Sequence, residues 1–100
     1  MEKGKPHYLL ESIKDVVRRT GIAAFTNTAV SGARKMGLTD EEVIDVVLAL
    51  SSRQFFKSMT THVDHRVWQD VYHTPCPGGK IAYVKLTLRD GAVVIQFKEK

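Results

Sequence analysis

The apolar residues of this 100-residue chain change their spacing once, near residue 52, from a helical period to an alternating one. Before that point Leu9/Leu10, Ile13 and Val16/Val17 recur three to four apart, and Gly21 stands where a helix stops. Thr26-Asn27-Thr28 offers caps for a second helix carrying Ala29, Val30, Ala33 and Met36, with Gly37 as its terminator. Thr39 and Glu42 predict a capping box, and Asp40-Glu41-Glu42 sets negative charge at the positive end of a third helix dipole. Val43, Val47 and Leu50 form its stripe, widened by Ile44 and Leu48.

After residue 52 the period becomes two. Residues 54–61 and 66–73 are candidate strands, and Pro75-Cys76-Pro77-Gly78-Gly79 is a loop. From Lys80 to Arg89, Ala82, Val84, Leu86 and Leu88 point one way, and Ile81, Tyr83, Lys85, Thr87 and Arg89 the other. Asp90-Gly91 predicts a hairpin turn. A last strand follows with Val93, Ile95 and Phe97 inward and Val94, Gln96 and Lys98 outward. Helices over about 8–52, then antiparallel strands over about 54–99, predict one α+β domain spanning 1–100, with N-terminal helices packed on one face of a curved antiparallel sheet. The uncovered face would carry Tyr83, Lys85, Thr87, Arg89, Gln96 and Lys98.

The charge is as uneven as the period. Residues 1–52 hold seven Lys/Arg against seven Asp/Glu, and residues 53–100 hold eight against four. The whole +4 therefore belongs to the strand half, together with three of the four histidines. Such a field concentrates polyanions, although it also serves plain solubility. No apolar run is long enough to cross a bilayer, the N-terminus lacks a secretory pattern, and Cys76 has no disulfide partner, so a cytoplasmic protein is expected.

Several chemistries compete for the strand half. His62, Asp64, His65 and His73 do not have zinc-finger spacing. Cys76 sits between prolines with nothing to stabilise a thiolate. Gly78-Gly79-Lys80 lacks the spacing and the Ser/Thr of a phosphate loop. What remains is a polar set of Lys57, Gln69, Tyr83, Lys85, Arg89 and Lys98 on neighbouring strands. RNA cleavage by the 2′-hydroxyl needs a base, positive charge around the phosphorane and a proton for the leaving 5′-oxygen. Lysine and arginine supply charge, glutamine orients, and tyrosine donates a proton or stacks on a base. A lysine acts as base only if burial or nearby cations lower its pKa, and histidines are easier acid–base groups near neutrality. The plainer alternative is a solvated face, with Gln69 in a buried amide network between Val67 and Val71, and Trp68 and Tyr72 as packing groups.

Phe55-Phe56-Lys57-Ser58-Met59-Thr60-Thr61, Asp64-His65, Trp68-Gln69-Asp70-Val71-Tyr72 and the ends Met1-Glu2-Lys3, Pro6-His7 and Phe97-Lys98-Glu99-Lys100 closely resemble the motility quorum-sensing regulator (MqsR) toxin family. Gly37-Leu38 agrees as well. The resemblance implies the toxin of a bacterial type II toxin–antitoxin module. It implies an endoribonuclease with a RelE-like, microbial-ribonuclease-like fold that cuts messenger RNA at short GC-containing sites, with no metal or organic cofactor. It also implies a cognate antitoxin that binds zinc and carries a helix-turn-helix, with operon DNA reached only through that complex. The three helices here show no basic face of their own. The family's catalytic lysine falls on Lys57, its glutamine on Gln69 and its tyrosine on Tyr83, the last through Tyr83-Val84-Lys85-Leu86. Lys85, Arg89, Lys98 and His62 are the expected RNA contacts, His62 standing where some relatives have a tyrosine. The rival expectation is a non-catalytic RNA- or protein-binding module, for which the basic sheet would suffice.

Overall fold

The computed structural model describes residues 1–89 and 91–100; the Asp90 half of the expected Asp90-Gly91 turn lies outside the described residues. Among these, α1 spans Leu10–Thr20, α2 Asn27–Lys35 and α3 Asp40–Leu48, with short 3-10 turns at Gly21–Ala24 and Ser52–Gln54. Strands follow as β2 Phe55–Thr60, β3 Trp68–Pro75, β4 Ile81–Leu86 and β5 Val94–Glu99, and a two-residue β1, Glu2–Lys3, precedes the helices. They form one sheet in the order β1-β2-β3-β4-β5, every pair antiparallel. The α+β layout is the expected one.

The helix ends are set by local chemistry. Ala29 N donates to the Thr26 hydroxyl at 3.1 Å. Thr39 and Glu42 exchange the two bonds of a capping box at 2.9 and 3.1 Å. Gly37 takes a φ of 81°, past the end of α2, a region closed to most side chains. The helices cover one sheet face. Ile13, Val17, Ala29, Ala33, Val43 and Val47 bury against Tyr72, Ala82, Val84, Leu86, Val94 and Phe97. At Gly32 the backbone of α2 meets β5, where a Cβ would collide with the Phe97 carbonyl oxygen. No helix among the described residues is long and apolar enough to cross a membrane.

The expected facing of four sheet residues is corrected. Val94, expected outward, is fully buried, and Ile95, expected inward, is only partly buried and borders a cavity on the other face. The cause is a register irregularity: Lys85 pairs with Gln96, but Leu86 pairs with Val94. One inserted residue reverses the faces of those that precede it. Leu88, expected in the core, is 39% exposed because β4 ends at Leu86. Thr87, expected on the wet face, is buried, its hydroxyl donating to the Trp68 carbonyl at 3.1 Å with Tyr8 Oη 3.3 Å away.

The N-terminal segment is fastened by Asp70. This buried carboxylate accepts from His7 N at 3.0 Å, Tyr8 N at 2.9 Å and the Ser58 hydroxyl at 2.6 Å. Three donors satisfy an anion that would otherwise be costly to bury. With residues 7 and 8 so held, Glu2 pairs opposite Met59 and Lys3 opposite Ser58, and Thr60 N donates to Met1 O at 2.9 Å.

Candidate functional site

Residues directly opposed on antiparallel strands share a face, so the register lays out the uncovered side in rows. One row runs His73, Tyr83, Lys98. The next runs Lys57, Val71, Lys85, Gln96. A third pairs Met59 with Gln69, and Glu2 lies opposite Met59. Lys57, Gln69, Tyr83, Lys85 and Lys98 therefore share one face. A bulge between Phe55 and Lys57 adds Phe56 to it, stacked on His73 with ring centroids 4.3 Å apart.

The rows also separate these residues. Gln69 lies four positions along β3 from the His73–Tyr83 row, about 13 Å at ordinary strand rise. Lys57 and Lys85 occupy the row between. Gln69 faces an open cavity of about 300 Å³ that Arg89, Thr61, Val67, Thr87 and Ile95 also line. Among the described residues its side-chain amide makes no hydrogen bond, and no buried polar side-chain atom lacks one, so the buried amide network is not formed there.

Charge is distributed unequally among the lysines. Lys57 Nζ donates to Glu2 Oε1 at 2.6 Å. That bond, with the carboxylate's charge, raises the Lys57 pKa and lowers that of Glu2, so both groups stay ionised over a wide range. Lys85 behaves oppositely: burial, then the Lys98 and Lys57 cations, pulls its pKa down. Burial raises the Tyr83 pKa, opposed by Lys57, and keeps the phenol protonated near neutrality. Two lysines also lie over the Tyr83 ring, Lys98 Nζ at 5.1 Å and Lys85 Nζ at 5.8 Å from its centroid.

The remaining candidates are elsewhere. His62 is exposed in the link between β2 and β3, as is His65. Asp64 in that link is engaged by Arg66, with Nε–Oδ1 at 3.1 Å. Among the described residues no group of three His, Cys, Asp or Glu side chains gathers to hold a metal. Cys76 is buried, and burial raises its thiol pKa, which leaves it a poor nucleophile. Trp68 packs under His7, with centroids 5.3 Å apart, and under Lys3 Nζ at 4.1 Å, on the covered side of the sheet. Sequence reasoning left out Glu2 and Phe56, which the edge pairing and the bulge bring to the site. The only signal for either was its place inside the quoted strings.

Two comparisons place the chain as a whole among known proteins. The family described as "Motility quorum-sensing regulator, toxin of MqsA" matches residues 5–99. The mRNA interferase toxin MqsR of Escherichia coli (strain K12) is 38% identical over 100 residues, covering all of both chains.

Proposed function

The chain belongs to the motility quorum-sensing regulator toxin family, and from that premise we propose that it is a messenger-RNA endoribonuclease, the toxin of a toxin–antitoxin pair. The observation that supports a nuclease site is the shared open face of Lys57, Tyr83, Lys85 and Lys98 within the basic half of the chain.

In this reading single-stranded RNA lies across the rows. The ribose 2′-hydroxyl attacks its own phosphorus; the new O–P bond forms as the P–O5′ bond breaks, leaving a 2′,3′-cyclic phosphate and a 5′-hydroxyl. Lys57 is the fixed cation beside the phosphorane: an anion lies against it throughout, Glu2 in the free protein, where it raises the Lys57 pKa, and phosphate in the complex, so it is unsuited to act as base. Substrate phosphate displaces Glu2 from it, and the freed carboxylate takes the 2′-hydroxyl proton. Tyr83, protonated, gives a proton to the leaving 5′-oxygen. Gln69 orients the strand from its cavity. Lys85, Lys98 and, further out, Arg89 and His62 hold the backbone. No metal or organic cofactor enters these steps.

The partner in this reading is a cognate antitoxin that binds zinc and contacts operon DNA, and the cleavage sites are short and GC-containing. The RelE-like relationship of the fold is part of the same proposal. Incubating the purified protein with a messenger RNA in the presence of a chelator tests it. Discrete fragments ending in 2′,3′-cyclic phosphate are expected. Retention of intact RNA would instead identify the non-catalytic binding module.

A further inference from the structure

The open face carries an aromatic strip of which the cleavage chemistry uses only Tyr83. Phe56 is 52% exposed, unusual for a phenylalanine in a strand of a small domain. The bulge before Lys57 turns it to the same side as Lys57, and its ring lies nearly parallel to His73, with 23° between planes. His73 in turn lies 5.7 Å from Tyr83, tilted by 40°. The strip is edged by cations: Lys57 Nζ stands 5.5 Å from the Phe56 centroid and Lys98 Nζ 5.1 Å from that of Tyr83. Burial, with the nearby Lys100 charge, lowers the His73 pKa, so its ring is neutral at ordinary pH and presents a flat uncharged surface.

Planar rings between cations are what an unpaired nucleobase and its flanking phosphates require. The base stacks on a π-face while the phosphates meet the lysines. The geometry points to Phe56 and His73, beside the proton donor Tyr83, as a stacking subsite for a base of the single-stranded substrate, adjoining the phosphate held by Lys57. This inference rests on the nuclease reading for the register of that base, but not for the stacking itself. An apolar protein surface is the lesser fit, because Phe56 is flanked by a lysine and a histidine rather than by further apolar side chains.

The test uses the full chain and short RNAs made uncleavable by 2′-O-methyl groups, with 2-aminopurine placed at each position in turn. Stacking should quench the fluorescence at one position on binding. Phe56→Ala should abolish that quench and weaken binding about tenfold, a stacked base being worth roughly 1–3 kcal/mol. Phe56→Trp should restore both, whereas Phe56→Leu, which keeps bulk without a π-face, should not. The same variants on cleavable RNA should raise KM more than they lower kcat. Lys57→Ala should keep the quench and lose cleavage, which separates the two claims. The subsite is overturned if wild-type protein cuts RNA without quenching any position, or if Phe56→Ala binds and quenches like wild type while losing only its hold on the antitoxin. Quenching that depends on Phe56 in a protein that cuts nothing would sustain the subsite and end the nuclease reading.

Discussion

Different surroundings give Lys57 and Lys85 opposite characters on the same row. Glu2 holds Lys57 as a cation, while burial and two lysines loosen the proton of Lys85. If both cations serve the phosphorane, the first to be lost as pH rises is that of Lys85. Cleavage should therefore fall on the alkaline side before the ordinary lysine range of about 10.4 is reached. A single-turnover pH profile checks this, and Lys85→Arg should move the fall upward. On the acid side Glu2 must be deprotonated to take the proton. The Lys57 bond lowers its pKa in the free protein; once substrate has broken that bond, the acid limb should return to the ordinary carboxylate range, still well below neutrality. Glu2→Gln should slow cleavage about 100-fold, the usual size of a general-base contribution. A faster variant would mean that Glu2 only masks Lys57.

At the scale of elements, the fold was legible where signals are local. The Thr39/Glu42 capping box and the positive-φ Gly37 are written within a few residues of the ends they set. Strand alternation likewise put Tyr83 and Lys85 on one side. What could not be read depends on partners far away in the chain. The bulges that bury Val94 and expose Phe56 are relations between strands, and β1 is too short to have a period. Asp70 read as one letter of a motif, but it binds residues 62 and 63 positions away. The facing of Lys57 and Gln69 likewise had to wait for the register. Gly32 belongs to this group too. Alanine there would favour the helix by about 1 kcal/mol, but its Cβ would meet the Phe97 carbonyl. Overpacking against backbone should win, lowering stability by about 2 kcal/mol and the melting temperature by roughly 10 °C. Thermal unfolding by circular dichroism reads this directly.

The whole molecule divides its labour as its sequence divides its charge. A neutral helical half covers one sheet face, and the net +4 lies in the half that presents the other. RNA affinity should accordingly fall with salt, by a slope near 0.7 per phosphate neutralised on a single strand. Lys98→Ala should weaken binding similarly for all sequences and reduce that slope by about 0.7, as measured by RNA titration at several salt concentrations. An unchanged slope would remove Lys98 from the RNA path.

The most direct test is single-turnover cleavage of one messenger RNA by the wild-type protein and by Lys57→Ala, with circular dichroism confirming that both are folded. Lys57 lies at the surface on a strand, so its removal should leave the fold intact while cleavage falls by at least about 100-fold. A folded Lys57→Ala protein that cuts the same sites at the wild-type rate would contradict the assignment of catalysis to this face.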